Sequence, residues 1–437
     1  MKDFATSDSP AVQAQLDRLA ALSLPQGRFG LEAIREILAR LDNPQDRLPP
    51  VFHVAGTNGK GSTCAYLRAM LEAQGLTVHA ATKPHLVRYN ERIRVAGQLI
   101  SDTLLADLLR EVLDTSADLA PSFFEVTTAA MFMAFAATPA DACVIEVGLG
   151  GRFDATNVMA RPAACGIATL GIDHEAFLLR SEDGVPADPL RRIAFEKASI
   201  ARPGVPLVTQ AYRLDVSDVV AETATRHGAD LVMRGRDWDA ATGDAIAYRD
   251  AAGSLDLPLP ALAGAHQADN AALAVAMLRH QQAVRVSPEA MAAGIRAARW
   301  PARLQRLAPG PVTELAAGRT VWLDGGHNPD AGQAIARYFS ASEQPLHLIL
   351  GMLANKDPAA ILAPLAGMLA SVSIVPAPGH EAHAPADFAP FTDLPVRSFA
   401  AVPDALAALP TDDREVLIAG SLYLAGEVLR LNREFPD

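Results

Sequence analysis

The stretch HVAGTNGKGST, from His53 to Thr63, combines glycines, hydroxyls and a lysine in the manner of a phosphate-binding loop. The usual P-loop pattern, G-x-x-x-x-G-K-[ST], would have a glycine at Val54 and a hydroxyl at Gly61, so the match is partial. A strand-to-helix turn needs one glycine, and this stretch has more glycine, lysine and hydroxyl than turning requires. The pattern predicts a variant phosphate loop, whose backbone N–H groups and lysine face an anion. The predicted nucleotide contacts are Gly56, Thr57, Asn58, Gly59, Lys60, Gly61, Ser62 and Thr63.

Two further stretches place acidic and imidazole side chains after predicted strands. ACVIEVGLGG is typical of a buried parallel strand that delivers Glu146, and CGIATLGIDH repeats the design and delivers Asp173 and His174. Taken singly, Glu146 could be a carboxylate at a strand end and His174 a satisfied polar residue. Together they indicate a magnesium site beside bound phosphates, although histidine is an unusual magnesium ligand.

Two nearby residues have both a functional and a structural interpretation. The segment GGRFDATN supplies a carboxylate at Asp154, which could equally cap a helix. Lys197, in IAFEKASI, could equally form an ion pair on a helix surface. The residue types alone leave both interpretations open.

The elements around these residues predict how they come together. VFHVAG is a short apolar run before the glycine loop, and STCAYLRAMLEAQG follows with apolar residues at helical spacing up to Gly75. Ligands of open α/β sheets bind outside the carboxyl ends of the strands, and three such ends carry the residues above. The first part of the chain is therefore predicted to be a nucleotide-binding α/β domain.

The chain is long enough for two domains, since 437 residues exceed what one hydrophobic core usually supports. Near Arg299-Trp300-Pro301 the helical pattern breaks, and short strands separated by Ala/Leu-rich helices follow from TVWLDGGHNP onward. We predict one domain at residues 1–299 and a smaller α/β domain at residues 300–437.

Composition excludes several classes of partner. The net charge of −12 argues against a nucleic-acid surface, and no apolar run is long enough to span a membrane. Cys64, Cys143 and Cys165 form no CxxC pair, which favours a reducing compartment. We expect a cytoplasmic monomer that acts on small molecules.

Eight stretches resemble, in order, the signatures of the folylpolyglutamate synthase/dihydrofolate synthase family, relatives of the Mur ligases. They are HVAGTNGKGST, PHLVRYNERIRV, EVGLGGRFDATN, IDH, FEKASI, HQADNAALA, LDGGHNP and GMLANKD. The resemblance implies a P-loop-containing parallel-sheet domain, like the Mur ligase central domain, that binds ATP and folate, and a smaller Rossmann-like glutamate-ligase domain. It also implies ATP- and Mg²⁺-dependent ligation of L-glutamate to dihydropteroate, to reduced folates or to both, through an acyl phosphate.

The same resemblance implies roles for individual residues. Lys60, Lys197 and His174 would be catalytic, and the lysine at the position of Lys197 is carbamylated in relatives. The family pattern adds to the ATP contacts Asn270, Arg303, Asp324 and His327. The implied metal ligands are Glu146, His174 and Ser62, and the implied substrate contacts are Asp154, Phe124 and Arg152.

One departure concerns Lys83-Pro84-His85, where the family commonly has Ser-Pro-His. That serine usually contributes a metal-bound hydroxyl, and a protonated lysine cannot ligate. Either Thr82 or water replaces the hydroxyl, or Lys83 takes over part of the charge neutralisation at the phosphates. Two alternative functions stay open, a Mur-type amino-acid ligase and a nucleotide-gated binding protein without catalysis.

Overall fold

The computed structural model describes residues 6–22, 30–342, 344–381 and 383–436. The chain separates into two compact units, which are described in turn. The first unit consists of residues up to Pro84, residues 88–261 and residues 268–298. The second consists of residues 85–87, residues 262–267 and the chain from Arg299 onward.

A large sheet forms the centre of the first unit. Its strands within the described ranges are β1 (Val51–Ala55), β2 (Val78–Ala81), β3 (Ile93–Val95), β4 (Gln98–Leu99), β5 (Ala142–Glu146), β6 (Ala164–Ile167), β7 (Pro206–Thr209) and β8 (Asp230–Met233). Their order is β4-β3-β2-β5-β1-β6-β7-β8, with parallel pairing from β2 to β8 and an antiparallel edge at β3 and β4. Because β5, β1 and β6 are adjacent and buried, the loops after their carboxyl ends emerge side by side.

Helices cover this sheet. They are α1 (Pro10–Ala20), α2 (Glu32–Arg40), α3 (Lys60–Ala73), α4 (Asp102–Thr115), α5 (Phe123–Ala137), α6 (Glu175–Leu178), α7 (Pro189–Ala198), α8 (Leu214–Arg226), α9 (His266–Arg279) and α10 (Pro288–Ala297), with 3₁₀ turns at Pro44–Arg47 and Tyr89–Arg92. Helix α10 approaches α3 so closely that a Cβ atom at Gly294 would lie 2.5 Å from the backbone N of Met70. Glycine at this position therefore permits the helix contact that holds α3 and the loop before it.

A small antiparallel sheet interrupts the α/β pattern of the first unit. Its strands are β9 (Trp238–Thr242), β10 (Ile246–Asp250) and β11 (Gly253–Leu257). Trp238 and Tyr248 stack across it with ring centroids 5.8 Å apart. The sequence pattern does not predict this sheet.

The second unit is a smaller α/β unit, as the sequence pattern predicts. Its strands within the described residues are β12 (Gln305–Arg306), β13 (Val321–Leu323), β14 (Leu346–Leu350), β15 (Leu369–Ile374), β16 (Val396–Ser398) and β17 (Val416–Ala419), in the order β12-β13-β17-β14-β15-β16. All pair in parallel except β12 with β13. Its helices are α11 (Pro311–Leu315), α12 (Pro329–Phe339), α13 (Ala359–Leu365), α14 (Pro385–Phe388), α15 (Val402–Ala407) and α16 (Leu422–Asn432), with 3₁₀ turns at Ala366–Met368 and Ala389–Phe391.

None of the helices in the described ranges combines the length and the apolar character needed to cross a membrane.

Candidate active site

The glycine loop joins β1 to α3 and requires glycine at Gly59. Gly59 has φ +83°, in the left-handed region where a side chain strains the backbone. A Cβ atom there would also collide with the side-chain oxygen of Asn270, and another at Gly56 would lie 2.9 Å from the Cβ of Ala168. The glycines thus let the loop lie tightly against its neighbours, and they place the predicted ATP contact Asn270 directly beside it.

Two lysines meet at the backbone oxygen of Gly56. Lys60 Nζ donates to this oxygen over 3.0 Å and to the oxygen of Thr57 over 3.1 Å. Lys197 Nζ donates to the same Gly56 oxygen over 2.9 Å. Lys197 is buried, and burial, together with the charge of Lys60, lowers its pKa to about 7. The structure therefore brings two of the predicted catalytic residues to the glycine loop and does not place Lys197 on a helix surface.

Thr57 connects the glycine loop to the segment that follows β6. Its N–H donates to the oxygen of Thr169 over 2.7 Å, and its hydroxyl donates to the oxygen of Gly171 over 2.8 Å. Asn58 forms an isolated β-bridge with Thr169. The predicted ATP contacts Thr57 and Asn58 thereby fix the start of the segment that carries His174.

His174 follows this segment, on a loop rather than on a strand. The strand β6 ends at Ile167, and residues 168–173 lead from its carboxyl end to His174. His174 has φ +56° and begins the short helix α6. Its backbone N–H donates to Asp173 Oδ1 over 2.8 Å, and its ring Nε2 lies 3.8 Å from Asp173 Oδ2.

Glu146 ends β5, buried next to the glycine loop. In the parallel pairing it lies opposite Val54 of β1, and its Oε2 accepts the backbone N–H of Lys83 over 2.9 Å. Ser62 and Thr63 lie in the first turn of α3, both buried, and Gly61 precedes them in that turn. Within the part of the chain that the structure describes, no three His, Cys, Asp or Glu side chains are grouped as a metal site. A magnesium ion here would therefore depend on phosphate oxygens or water as well as protein ligands.

Asp154 organises the loop after β5. Its Oδ2 accepts the backbone N–H groups of Gly148 and Leu149, each over 2.9 Å. Its Oδ1 accepts the N–H of Thr156 over 3.0 Å and also the Thr156 hydroxyl. Burial alone would raise the pKa of Asp154, but the charge of Lys83 and these hydrogen bonds outweigh it and lower the pKa. These contacts support a structural role for this predicted substrate contact.

His53, inside β1, extends the same network. Its Nε2 lies 2.8 Å from Thr156 Oγ1, and burial lowers the pKa of His53 to about 3. The neutral imidazole can donate to the threonine hydroxyl, which in turn donates to Asp154. The strand under the glycine loop and the loop after β5 are thus joined through side chains.

Arg152 lies in an ion-pair cluster beside Lys197. Its guanidinium bonds Glu182 over 2.9 Å, lies 3.1 Å from Glu196 Oε1 and stacks on the ring of Phe153 at 4.2 Å. Glu196 precedes Lys197 in α7 and also pairs with Arg192 over 3.0 Å. The predicted substrate contact Arg152 is therefore engaged with acidic neighbours that anchor α7.

Phe124 starts α5 with an exposed ring, 39% accessible. It meets Phe123 edge-on at 5.4 Å, and the guanidinium of Arg92 lies 5.5 Å from the centre of the Phe123 ring. An exposed aromatic ring suits stacking against a flat substrate. The stretch PHLVRYNERIRV also contains Arg92, which is buried and which the sequence pattern does not single out.

The remaining predicted ATP contacts cluster within the second unit, around the end of β13. Asp324 accepts the N–H of Leu304 over 2.8 Å and of Gly326 over 2.6 Å, and burial raises its pKa against the opposing charge of Arg303. Arg303 donates to the oxygen of Ala302 over 3.0 Å. His327 Nδ1 lies 3.0 Å from the oxygen of Gly325. The structure thus brings the three together, and their contact with ATP stays a prediction.

Similarity to known proteins agrees with this geometry. No protein-family model matches the chain. The folylpolyglutamate synthase of Lacticaseibacillus casei is 32% identical over 419 residues, which cover 90% of this chain and 92% of the relative. Escherichia coli FolC, solved in complex with DHPP and ADP, superimposes with a TM-score of 0.83 at 31% identity and 97% coverage of both chains.

A bifunctional folylpolyglutamate synthase/dihydrofolate synthase, solved with Mn, AMPPNP and L-glutamate bound, gives a TM-score of 0.82. It is 29% identical, and the match covers 98% of this chain and 99% of that one. Because these matches cover nearly the whole chain, they include both units of the fold. The chain therefore belongs to the folylpolyglutamate synthase/dihydrofolate synthase family of ligases.

Proposed function

We propose that this protein uses ATP to join L-glutamate to a pterin-linked carboxylate, making dihydrofolate from dihydropteroate, lengthening reduced folates, or both. The observation that carries the proposal is the convergence of Lys60 and Lys197 on the glycine loop beside Glu146. The ligands of the solved relatives, DHPP with ADP and L-glutamate with AMPPNP and Mn, support it.

The reaction has two displacements. An oxygen of the substrate carboxylate attacks the γ-phosphorus of ATP, the bond to the β-phosphate oxygen breaks, and ADP leaves. The glutamate ammonium loses one proton to solvent and its nitrogen attacks the acyl carbon. The nitrogen then loses a second proton to solvent as the C–O bond to phosphate breaks and the amide forms. Neither step requires a nucleophile from the protein, so the chain's residues position the reactants and neutralise charge.

Lys60 and the backbone N–H groups of the loop would hold the phosphates at the positive end of α3. To do so, the Lys60 ammonium would turn from the oxygens of Gly56 and Thr57 toward the nucleotide. Asn270, beside Gly59, would contact the nucleotide on the other side of the loop. The exposed ring of Phe124 would face the acceptor substrate.

The donor set near the loop fits magnesium. Glu146 offers a carboxylate and Ser62 a hydroxyl, both hard oxygen ligands, and His174 would complete the protein's share. Magnesium needs few protein ligands when phosphate oxygens supply the others, which agrees with the sparse acidic side chains here. Once bound, the ion would neutralise phosphate charge.

A turnover screen tests the proposal. Purified protein with ATP, Mg²⁺ and L-glutamate is given dihydropteroate, tetrahydrofolate or a nucleotide-linked Mur peptide, and ADP and amide products are measured. We expect glutamylated product from at least one of the first two. Product from the Mur peptide alone would establish a Mur-type ligase, and ATP binding without any product would establish a binding protein.

The compartment and the assembly state are also proposals. The cysteines Cys64, Cys143 and Cys165 are buried free thiols, which supports a reducing cytoplasm. We infer that the protein acts there as a monomer on small molecules. Sedimentation of the purified protein tests the assembly state.

A further inference from the structure

Lys83 follows β2 and lies beside the end of β5. The two strands pair in parallel with Ala81 opposite Ile145, which brings Lys83 next to Glu146. The backbone N–H of Lys83 donates to Glu146 Oε2 over 2.9 Å. The carboxylate that we assign to magnesium thus also fixes the backbone of a lysine.

The side chain of Lys83 passes over Gly148. A Cβ atom at position 148 would lie 3.3 Å from Lys83 Cδ, 3.4 Å from Lys83 Nζ and 3.1 Å from Asp154 Oδ2. Both the lysine ammonium and the Asp154 carboxylate therefore border the space that a side chain at position 148 would fill. Glycine at 148 lets the ammonium lie close to this loop.

Three charged side chains act on the Lys83 ammonium. Asp154 and Glu146 attract it, and Arg92 repels it. Both oxygens of Asp154 already accept two hydrogen bonds each. Within the described ranges, Lys83 Nζ makes no hydrogen bond or short ion pair. The Lys83 side chain is half-buried, and partly withdrawing an ammonium from water without hydrogen bonds costs free energy, which an anionic ligand would offset.

We propose that the Lys83 ammonium contacts the reacting anion, the oxygens shared between the acceptor carboxylate and the transferring γ-phosphoryl group. This inference rests on the proposed function. The order β2-β5-β1 puts Glu146 between Lys83 and the glycine loop. Lys60 would therefore approach the transferring group from the nucleotide side and Lys83 from the acceptor side. A positive charge at this place would reduce the positive charge that metal ions must supply.

Three variants test the charge and its position. Lys83→Met removes the charge, Lys83→Arg keeps it, and Gly148→Ala pushes on the ammonium without removing it. Arg110→Met, on the exposed face of α4, is a control for the loss of one positive charge. We expect kcat to fall about 10- to 100-fold in Lys83→Met, less in Gly148→Ala and least in Lys83→Arg. The KM for ATP stays nearly constant, and Lys83→Met needs a higher Mg²⁺ concentration for half-maximal rate.

A binding measurement complements the kinetics. ADP with aluminium fluoride mimics the transferring phosphoryl group, and calorimetry with the acceptor present measures its affinity. We expect this affinity to fall about 10-fold in Lys83→Met and to change little in Lys83→Arg and Arg110→Met. ADP alone should bind all variants equally.

Two results would overturn the inference. One is wild-type kcat, magnesium dependence and aluminium fluoride affinity in Lys83→Met. The other is an equal loss in the Met and Arg variants, which would assign Lys83 a purely structural role. Failure of the wild-type protein to turn over any folate substrate contradicts the proposed function instead, and calorimetry with ADP and aluminium fluoride in the absence of acceptor then decides whether Lys83 contacts the phosphoryl group.

Discussion

Lys60 and Lys197 donate to one acceptor, the backbone oxygen of Gly56, over 3.0 and 2.9 Å. Two ammonium groups on one oxygen repel each other, and Lys197 is also removed from water. Burial and this repulsion lower the pKa of Lys197 to about 7. The buried member of the pair is therefore able to lose its proton near neutral pH.

Lys60→Ala should lower turnover by about 100-fold or more, because it removes the lysine that we assign to the phosphates. The fold should persist, since a partly exposed side chain in the first helical turn contributes little packing. Phosphate release and thermal unfolding measure the two effects, with Arg110→Met as the charge-matched control. Turnover close to that of the wild type would contradict the loop assignment.

Lys197 should make folding stability depend on pH. Its folded pKa of about 7 lies below the ordinary lysine value of 10.5. Between these values the unfolded chain binds more protons, so the contribution of Lys197 to the free energy of unfolding rises with pH. Below about pH 7 Lys197 is protonated in both the folded and the unfolded chain, and the full free-energy cost of burying its charge applies.

Urea unfolding of Lys197→Met and the wild type from pH 6 to pH 9 measures this effect. The stability of the variant relative to the wild type should be greatest near pH 6 and 7 and should decline toward pH 9. A constant difference across this range would refute the lowered pKa.

The neutral amine of Lys197 is also the form that reacts with CO₂. A carbamate would replace a cation by an anion able to ligate or orient a second magnesium ion. We predict a carbamate carbonyl signal in NMR spectra of the enzyme with ¹³C-enriched bicarbonate, absent from Lys197→Ala. That variant should lose most of its activity, and short carboxylic acids should restore part of it. Lack of the signal together with near-normal turnover in Lys197→Ala would refute carbamylation.

The local parts of the site were predictable from the sequence. Glycine spacing and helical periodicity lie within one stretch, so the strand, loop and helix from Val51 to Ala73 follow from residue types alone. The two-domain α/β class follows for the same reason. Similarity to the family's order of motifs then identified the ligase chemistry, which composition alone does not.

Contacts between distant residues were not predictable. Lys197 and Gly56 are 141 positions apart, and only the packing of α7 against the end of β1 makes them partners. The sheet β9 to β11 was not predicted: burial alternates along β9 and β10, but β11 is mostly exposed, so the three strands share no common apolar pattern. The sequence predicts Asp173 and His174 after a strand but not the length of the segment between; β6 ends at Ile167, and the following segment bonds to Thr57.

Asp154 offers a test between a structural role and the substrate contact that the resemblance implies. Its two oxygens accept four hydrogen bonds, from Gly148, Leu149 and Thr156, so Asp154→Asn would turn an amide N–H₂ toward two of these donors. It would also remove the negative charge nearest to Lys83. We expect the free energy of unfolding to fall by about 2–4 kcal/mol.

Asp141→Asn is the matched control, because its exposed carboxylate accepts the N–H of Thr77 over 2.7 Å on the same sheet. The free energy of unfolding of Asp141→Asn should fall by less than about 1.5 kcal/mol. Urea unfolding and the KM for the acceptor substrate are measured on both variants. If Asp154 has a structural role, Asp154→Asn lowers the free energy of unfolding, and the folded fraction of the variant keeps a near-normal KM for the acceptor. If Asp154→Asn instead keeps wild-type stability and raises the acceptor KM alone, Asp154 binds substrate, and the four hydrogen bonds would have to rearrange when the acceptor enters.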